Sequence, residues 1–224
     1  MKTQHLLPVT LVLAWALAAV PAFATPTDIC NAYNADITAD GALVLYLWGD
    51  WGNDKYDDGH YVGFSYGLMD MFEVGGDWRI TENEDFRQDP TLDAKFRFSL
   101  SDELTNAIAV GVDNINFDED VQGKFIPYIV YTHDFEGLRA HAGYSFEEDN
   151  SGAFVGFDAA TGDATLKWDW KQIADGDDWM GAVGFDMPFE LMTENWVLSM
   201  FLTWSSNDDI SDVWHAEINY TFGG

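Results

Sequence analysis

Residues 214–222 alternate apolar and polar side chains at every step, close to the C-terminus of the chain. A period of two places successive side chains on opposite faces of a β-strand. On this strand His215, Glu217 and Asn219 share the polar face, and the apolar face ends in Tyr220 and Phe222. Because similar alternation recurs along most of the chain, we predict an all-β protein whose strands each have one apolar face and one polar face.

Twelve segments have roughly the length of membrane-spanning strands, and together they predict an antiparallel up-and-down transmembrane β-barrel. The segments are 42–48, 60–68, 71–80, 91–100, 106–114, 124–132, 138–146, 152–159, 164–171, 179–187, 196–204 and 213–222. The first, sixth and eleventh are apolar on both faces, and Pro127 interrupts the sixth. In these three segments alternation alone does not define an inner and an outer face.

The connections between the predicted strands alternate between short turns and longer polar loops. The loops are 49–59, 81–90, 115–123, 147–151, 172–178 and 205–212, and they hold most of the acidic side chains. Outer-membrane barrels keep periplasmic turns short and extracellular loops long. We therefore expect the acidic loops outside the cell. The formal net charge of −29 also argues against a nucleic-acid partner, since a phosphate backbone requires basic contacts.

The first 24 residues have the pattern of a secretory signal peptide. Lys2 provides the charged region, an apolar stretch follows to Val20, and residues 22–24 form a small-x-small cleavage site. We expect export with cleavage near Ala24, which leaves residues 25–224 as a single β-barrel domain. The single cysteine, Cys30, excludes an internal disulfide.

A soluble barrel or sandwich is the alternative, since its strands also alternate. Two features favour the membrane barrel. Glycine is frequent on the predicted inner face, whereas solvent-facing strand positions disfavour it; these glycines are Gly63, Gly67, Gly75, Gly111, Gly143, Gly156 and Gly184. Trp and Tyr concentrate near the strand ends, as interface belts require; these residues are Trp48, Tyr61, Trp78, Trp170, Trp179, Trp196, Trp204, Trp214 and Tyr220.

With its signal peptide, strand number, loop asymmetry and terminal Tyr220-Thr221-Phe222, the chain resembles the small bacterial outer-membrane β-barrel proteins, including twelve-stranded oligosaccharide porins. The resemblance implies an outer-membrane location among lipid and lipopolysaccharide. It also implies that the barrel-assembly machinery binds the C-terminal strand. The chain departs from the pattern in two respects. Gly223 and Gly224 follow the terminal aromatic residue. In addition, the predicted lumen is mixed in charge, whereas the resemblance to porins for acidic sugars would imply a strongly basic lumen.

Charged side chains on the predicted inner faces are the candidate functional residues. One interpretation is a pore lining that sets ion or solute selectivity, and the other is a network of paired charges that fills a narrow, non-conducting barrel. The candidate pore-lining residues are Glu73, Asp77, Arg79, Asp93, Lys95, Arg97, Asp113, Arg139, His141, Asp158, Lys167, Asp169, Lys171, Asp186, His215 and Glu217. We favour a narrow passive pore for ions or small solutes.

Enzymatic activity is the second class of hypothesis, and it requires a histidine within reach of a carboxylate or hydroxyl. His60, near Asp57 and Asp58, has the best sequence spacing for an acid–base pair, but the chain contains no G-x-S-x-G or H-E-x-x-H motif. Surface binding of Ca²⁺ or Mg²⁺ by residues 118–120 or 175–178 is a third possibility. We predict no catalytic residue, no metal site and no cofactor.

Overall fold

The computed structural model describes residues 29–30, 32–52, 59–80, 90–101, 105–115, 125–147, 151–173, 177–189, 195–207 and 212–223. These residues contain twelve β-strands: β1 Leu43–Gly52, β2 Gly59–Leu68, β3 Phe72–Arg79, β4 Thr91–Ser99, β5 Asn106–Ile115, β6 Ile126–Asp134, β7 Leu138–Ser145, β8 Gly152–Thr161, β9 Ala164–Ile173, β10 Asp178–Phe189, β11 Trp196–Ser205 and β12 Val213–Phe222. Among the residues described, no helix is long and apolar enough to cross a membrane.

Each strand pairs antiparallel with its neighbours in the sequence, and β12 pairs with β1, so the sheet closes into a barrel. Closure supplies every strand with a neighbour on both sides and leaves no open sheet edge. The prediction of an all-β, antiparallel, up-and-down barrel of about twelve strands is confirmed. The largest difference from the predicted bounds is in β1, which continues to Gly52 instead of ending at residue 48.

The outer surface of the barrel is apolar at all heights along the strands. On β4, inward-facing Lys95 is 1% exposed, whereas outward-facing Phe98 is 50% exposed. Leu47, near the middle of β1, and Val183, near the middle of β10, are 50% and 48% exposed. A soluble barrel would bury its apolar faces in the interior. The opposite arrangement found here is the one that a lipid-facing barrel requires.

Two of the residues predicted to form aromatic belts point into the barrel. Trp48 and Tyr61 stack with ring centroids 4.9 Å apart, and Trp48 lines the main cavity. Trp48 faces inward because it lies two residues after Tyr46 on β1, and residues two apart share a strand face. Tyr46 is buried inside the barrel. Among the predicted belt residues that do face outward are Trp179, 37% exposed, and Trp214, 57% exposed.

The interior of the barrel contains the chain that precedes β1. Residues 29–30 and 32–42, called here the luminal segment, run from within the lumen to the start of β1. The segment meets the barrel wall beside the short β2–β3 turn, where the Gly41 amide donates to the Gly67 carbonyl at 3.0 Å and the Met69 amide donates to Asp40 Oδ1 at 2.7 Å. The described residues therefore form a wall of twelve strands around an internal segment.

The luminal segment explains why β6 is apolar on both faces. Tyr128 and Val130 on its inner face are 4% and 0% exposed, and they belong to one buried cluster with Tyr33 of the segment. Outer-face residues of the same strand, such as Ile129 at 43% exposure, point away from the barrel. The two faces of β6 are apolar for different reasons, and period-two alternation cannot separate them.

Candidate functional site: the barrel lumen

The structure places each candidate pore-lining residue on an inward-facing strand position. These residues are Glu73, Asp77, Arg79, Asp93, Lys95, Arg97, Asp113, Arg139, His141, Asp158, Lys167, Asp169, Lys171, Asp186, His215 and Glu217. They do not form one ring. Some contact the luminal segment, others pair with one another, and a third group borders a cavity. Their role in lining a conducting pore remains a prediction.

An apolar cluster fixes the luminal segment against one side of the wall. Tyr33 stacks on Tyr128 of β6 with ring centroids 3.8 Å apart and planes 2° from parallel, and it meets Phe154 of β8 edge-on at 5.7 Å. Ala107 and Ala109 on the inner face of β5 complete the wall side of this cluster. Side chains facing a water-filled channel are normally polar. This apolar inner surface therefore matches the segment that covers it.

Asp36 anchors the luminal segment electrostatically. Its carboxylate forms an ion pair with Arg139 of β7, and its backbone carbonyl accepts a hydrogen bond from Lys95 Nζ at 2.5 Å. Burial raises the pKa of the Asp36 carboxyl, but the positive charges of Arg139 and Lys95 outweigh this and hold it below its ordinary value. The docked segment thus carries a carboxylate that offsets the basic side chains of this wall.

Acidic side chains of the wall satisfy backbone groups of the segment. Asp169 Oδ2 accepts hydrogen bonds from the amides of Cys30 at 3.0 Å and Ala32 at 2.9 Å. Glu73 Oε2 accepts from both the amide and the hydroxyl of Thr38 at 2.6 Å. A buried chain outside regular secondary structure must find such partners for its amides. Asp169 and Glu73 therefore position the two halves of the segment.

Other charged residues pair within the wall. Lys167 Nζ lies 2.5 Å from Asp186 Oδ2, and both side chains are 8% exposed. Arg139 donates from Nε and Nη2 to the two carboxylate oxygens of Asp158, each at 2.8 Å. Removing one partner of such a pair leaves the other as an uncompensated buried charge. These residues hold the lumen wall together whether or not ions pass.

A cavity of about 190 Å³ lies beside the luminal segment, bordered by Ile29 and Cys30 of the segment and by residues of β1, β3 to β5 and β9 to β12. Its lining includes five acidic residues, Asp77, Asp93, Asp113, Asp186 and Glu217, and the basic residues Lys167 and His215. Both basic residues have acidic partners, since Lys167 pairs with Asp186 and His215 Nδ1 lies 2.7 Å from Asp50 Oδ1. The accessible part of the lumen is therefore predominantly acidic.

A β-bulge helps to place the acidic lining. The pairing of β4 with β5 shifts register between Leu92 and Ala94, and Asn114 on β5 adopts a left-handed conformation with φ of 62°. The Asn114 amide then donates to Asp93 Oδ1 at 3.0 Å. Bulges commonly re-aim side chains next to functional sites. Here the bulge lies beside two of the carboxylates that face the cavity.

The histidines give limited support to an enzymatic interpretation. His141 lies between Thr132 and Asp158, with Thr132 Oγ1 2.8 Å from Nδ1 and Asp158 Oδ2 2.8 Å from Nε2. This arrangement matches a catalytic site in which a nucleophilic hydroxyl lies beside a general base and a carboxylate orients the base. However, the Ala35 amide donates to the same hydroxyl at 2.9 Å, so the luminal segment covers it. The pair proposed for His60 involves residues 57 and 58, which lie outside the described residues.

Sequence reasoning missed the luminal segment, because it treated residues 25–41 only as chain before the first strand. Two signals could have revealed it. The chain upstream of β1 contains Ile29, Tyr33 and Ile37 among small residues, more apolar than a solvated leader needs to be. In addition, β6 offers Tyr128 and Val130 on a face that a water-filled barrel would make polar. A buried partner for that face was required.

Comparisons with solved structures identify the architecture. The KdgM porin aligns with a TM-score of 0.63 at 11% sequence identity, over 80% of this chain and 99% of that one. A structure of the KdgM porin in complex with disordered oligogalacturonate aligns with a TM-score of 0.61 at 11% identity, over 80% and 99% of the two chains. The NanC porin aligns with a TM-score of 0.52 at 13% identity, over 79% of this chain and 98% of that one.

The fold is therefore that of the small twelve-stranded porins. No protein-family model and no curated protein sequence matches the chain. At 11% to 13% identity the likeness establishes the barrel architecture, whereas function has to be argued from the lumen.

Proposed function

We propose that this protein is a bacterial outer-membrane β-barrel that acts as a narrow passive pore for ions or small solutes. The observation that carries the proposal is the combination of a closed barrel, an apolar outer surface and a charged lumen that contains a cavity of about 190 Å³. A cavity lined by carboxylates, a histidine and a lysine is a hydrated environment that ions can enter.

The cellular setting is part of the same proposal. Residues 1–24 direct export and are removed near Ala24, and the barrel-assembly machinery inserts the chain through its C-terminal strand. The apolar wall then faces lipid, and the acidic loops lie near lipopolysaccharide. Most residues of these loops are outside the described part of the structure, so their support comes from sequence. Divalent cations would bridge their carboxylates to lipopolysaccharide phosphates.

The charge of the cavity favours cations. Asp77, Asp93, Asp113 and Glu217 border it, whereas Lys167 and His215 are each compensated by a carboxylate. An acidic solute such as the oligogalacturonate recorded with KdgM would meet repulsion here. We therefore expect the pore to select cations weakly over anions.

A non-conducting barrel is the second candidate, and the luminal segment is the observation that favours it. The segment contacts inward-facing residues from β2 to β9, and Tyr33, Ala35 and Thr38 are all nearly inaccessible. In this alternative the paired charges only stabilise a filled barrel. We propose no enzymatic role, because the hydroxyl of Thr132 beside His141 is covered by the segment.

Planar-bilayer recording of the purified, refolded protein tests the pore directly. Folding is verified first by the difference in gel migration between boiled and unboiled samples. Stepwise current increases, with a reversal potential in a salt gradient that indicates cation preference, are the expected result. A heat-denatured sample at the same detergent concentration is the control. Folded protein that produces no steps would leave the filled barrel as the better description.

A further inference from the structure

We infer that the luminal segment is a tethered gate, which narrows the pore while docked against the wall and widens it on release. The inference rests on the proposed pore function and adds its regulation. If cleavage occurs near Ala24, the segment is the N-terminal end of the exported chain and is continuous with the wall only at the start of β1. A chain attached at one end can leave the lumen without breaking the barrel.

The wall has a surface shaped for the segment. On β8, a Cβ atom at Gly156 would collide with Ile29 Cδ1. On β2, a Cβ atom at Gly67 would collide with the carbonyl oxygens of Thr38 and Ala39. Glycine at these positions lets the segment approach the strand backbone closely. These close contacts lie near both ends of the segment.

The contacts that hold the segment are numerous but non-covalent. Tyr33 contributes the stack on Tyr128 and a hydrogen bond from its hydroxyl to Asp113 Oδ2 at 2.9 Å. Asp36 contributes the ion pair with Arg139. None of these interactions belongs to the hydrogen-bond ladder between strands. Undocking the segment therefore leaves the pairing of β1 to β12 intact.

The docked segment also lies where it would restrict flow. Ile29 and Cys30 form part of the boundary of the cavity, together with wall residues such as Met200, Phe201 and His215. The accessible volume is thus the part of the lumen that the docked segment leaves open. If the segment leaves, this space joins the volume that the segment had occupied, and Arg139 and Lys95 lose the carboxylate and carbonyl of Asp36.

The test uses the full exported chain refolded in lipid. Tyr33→Ala combined with Asp36→Asn removes the aromatic stack, the hydrogen bond to Asp113 and the charge of the ion pair, while the wall is unchanged. Asp163→Asn is the matched control, because it removes one negative charge from the exposed β8–β9 turn. Gel migration before and after boiling verifies that each variant is folded.

Cys30 reports the position of the segment independently of conductance. It is the only cysteine in the chain, and it is 6% exposed in the docked state. A small maleimide should label the wild type and the Asp163→Asn control slowly. We expect labelling of the double variant to be about tenfold faster or more, the factor expected when a charged hydrogen bond that stabilises the docked state is lost.

Single-channel recording of the same samples gives the second readout. Faster labelling together with a larger unit current or a longer open time supports the gate. Faster labelling with wild-type currents would overturn the gate and leave the pore standing. Faster labelling with no current in either protein would refute the pore itself. Unchanged labelling would show that these contacts do not hold the segment, and it would overturn the gate as argued here.

If the double variant does not fold, Gly156→Leu replaces it. The larger side chain would occupy the position of Ile29 and displace the end of the segment, whereas the ion pair at Asp36 would remain. The same two readouts apply. Faster labelling of Cys30 with increased current is the supporting result, and faster labelling with unchanged current contradicts the gate.

Discussion

Leucine-to-arginine substitutions at two heights on the outer wall should have very different effects on folding. Leu47 and Leu166 are the same residue type with nearly equal exposure, 50% and 53%. A strand tilted by about 40° rises about 2.5 Å per residue along the membrane normal. Leu166 is the third residue of β9 and lies about 5 Å from its end, whereas Leu47 lies near the middle of β1.

On a lipid-facing wall, arginine costs about 2–4 kcal/mol at mid-depth and about 0–1 kcal/mol near an interface. Leu47→Arg should therefore destabilise the barrel by the larger amount and Leu166→Arg by the smaller. The assay is reversible folding into lipid vesicles, followed against urea concentration by the fraction that migrates as folded protein. Equal and small effects at both positions would mean that this surface faces water, and the membrane assignment would be wrong.

Three further predictions concern the lumen and the loops. Docking lowers the pKa of the Asp36 carboxyl, so the docked segment is most stable above the ordinary carboxyl pKa and is destabilised as the pH falls through the lower docked value. The open time of the channel should therefore increase in acid, and Asp36→Asn should abolish most of this increase. Asp77→Lys should shift the reversal potential toward anions, and an unchanged potential would place the ion path elsewhere. In a Cys30→Ser background, single cysteines in 205–212 should label from outside intact cells and those in 134–137 should not; the reverse would invert the orientation.

The strands of the wall could be predicted because apolar and polar side chains alternate along them with a period of two residues. On β4 and β7 the lipid side is apolar and the lumen side is polar, so parity alone assigns Lys95 and Arg139 to the interior. Short turns such as 162–163 appear in the sequence as polar breaks containing glycine. The strand number and the inward placement of charged residues follow from these local signals.

The luminal segment was not predictable in the same way, because its order depends on the tertiary structure. Residues 29–42 have no strand or helix period, and their amides bond to side chains that are distant in the sequence, such as Asp169 and Glu73. Pairings of charges across strands, for example His215 with Asp50, likewise depend on barrel closure between β12 and β1. The sequence indicates which residues face inward, but not what they meet there.

Modification of single cysteines during bilayer recording tests the central claim, that current passes through this lumen. In a Cys30→Ser background, Asp77→Cys places a thiol on the cavity wall, and Leu47→Cys places one on the outer surface at a comparable height. A positively charged thiol reagent should lower the open-channel current of Asp77→Cys in a single step and leave that of Leu47→Cys unchanged. Equal responses of the two variants, or no response after modification at Asp77 is verified by mass, would contradict a conducting lumen.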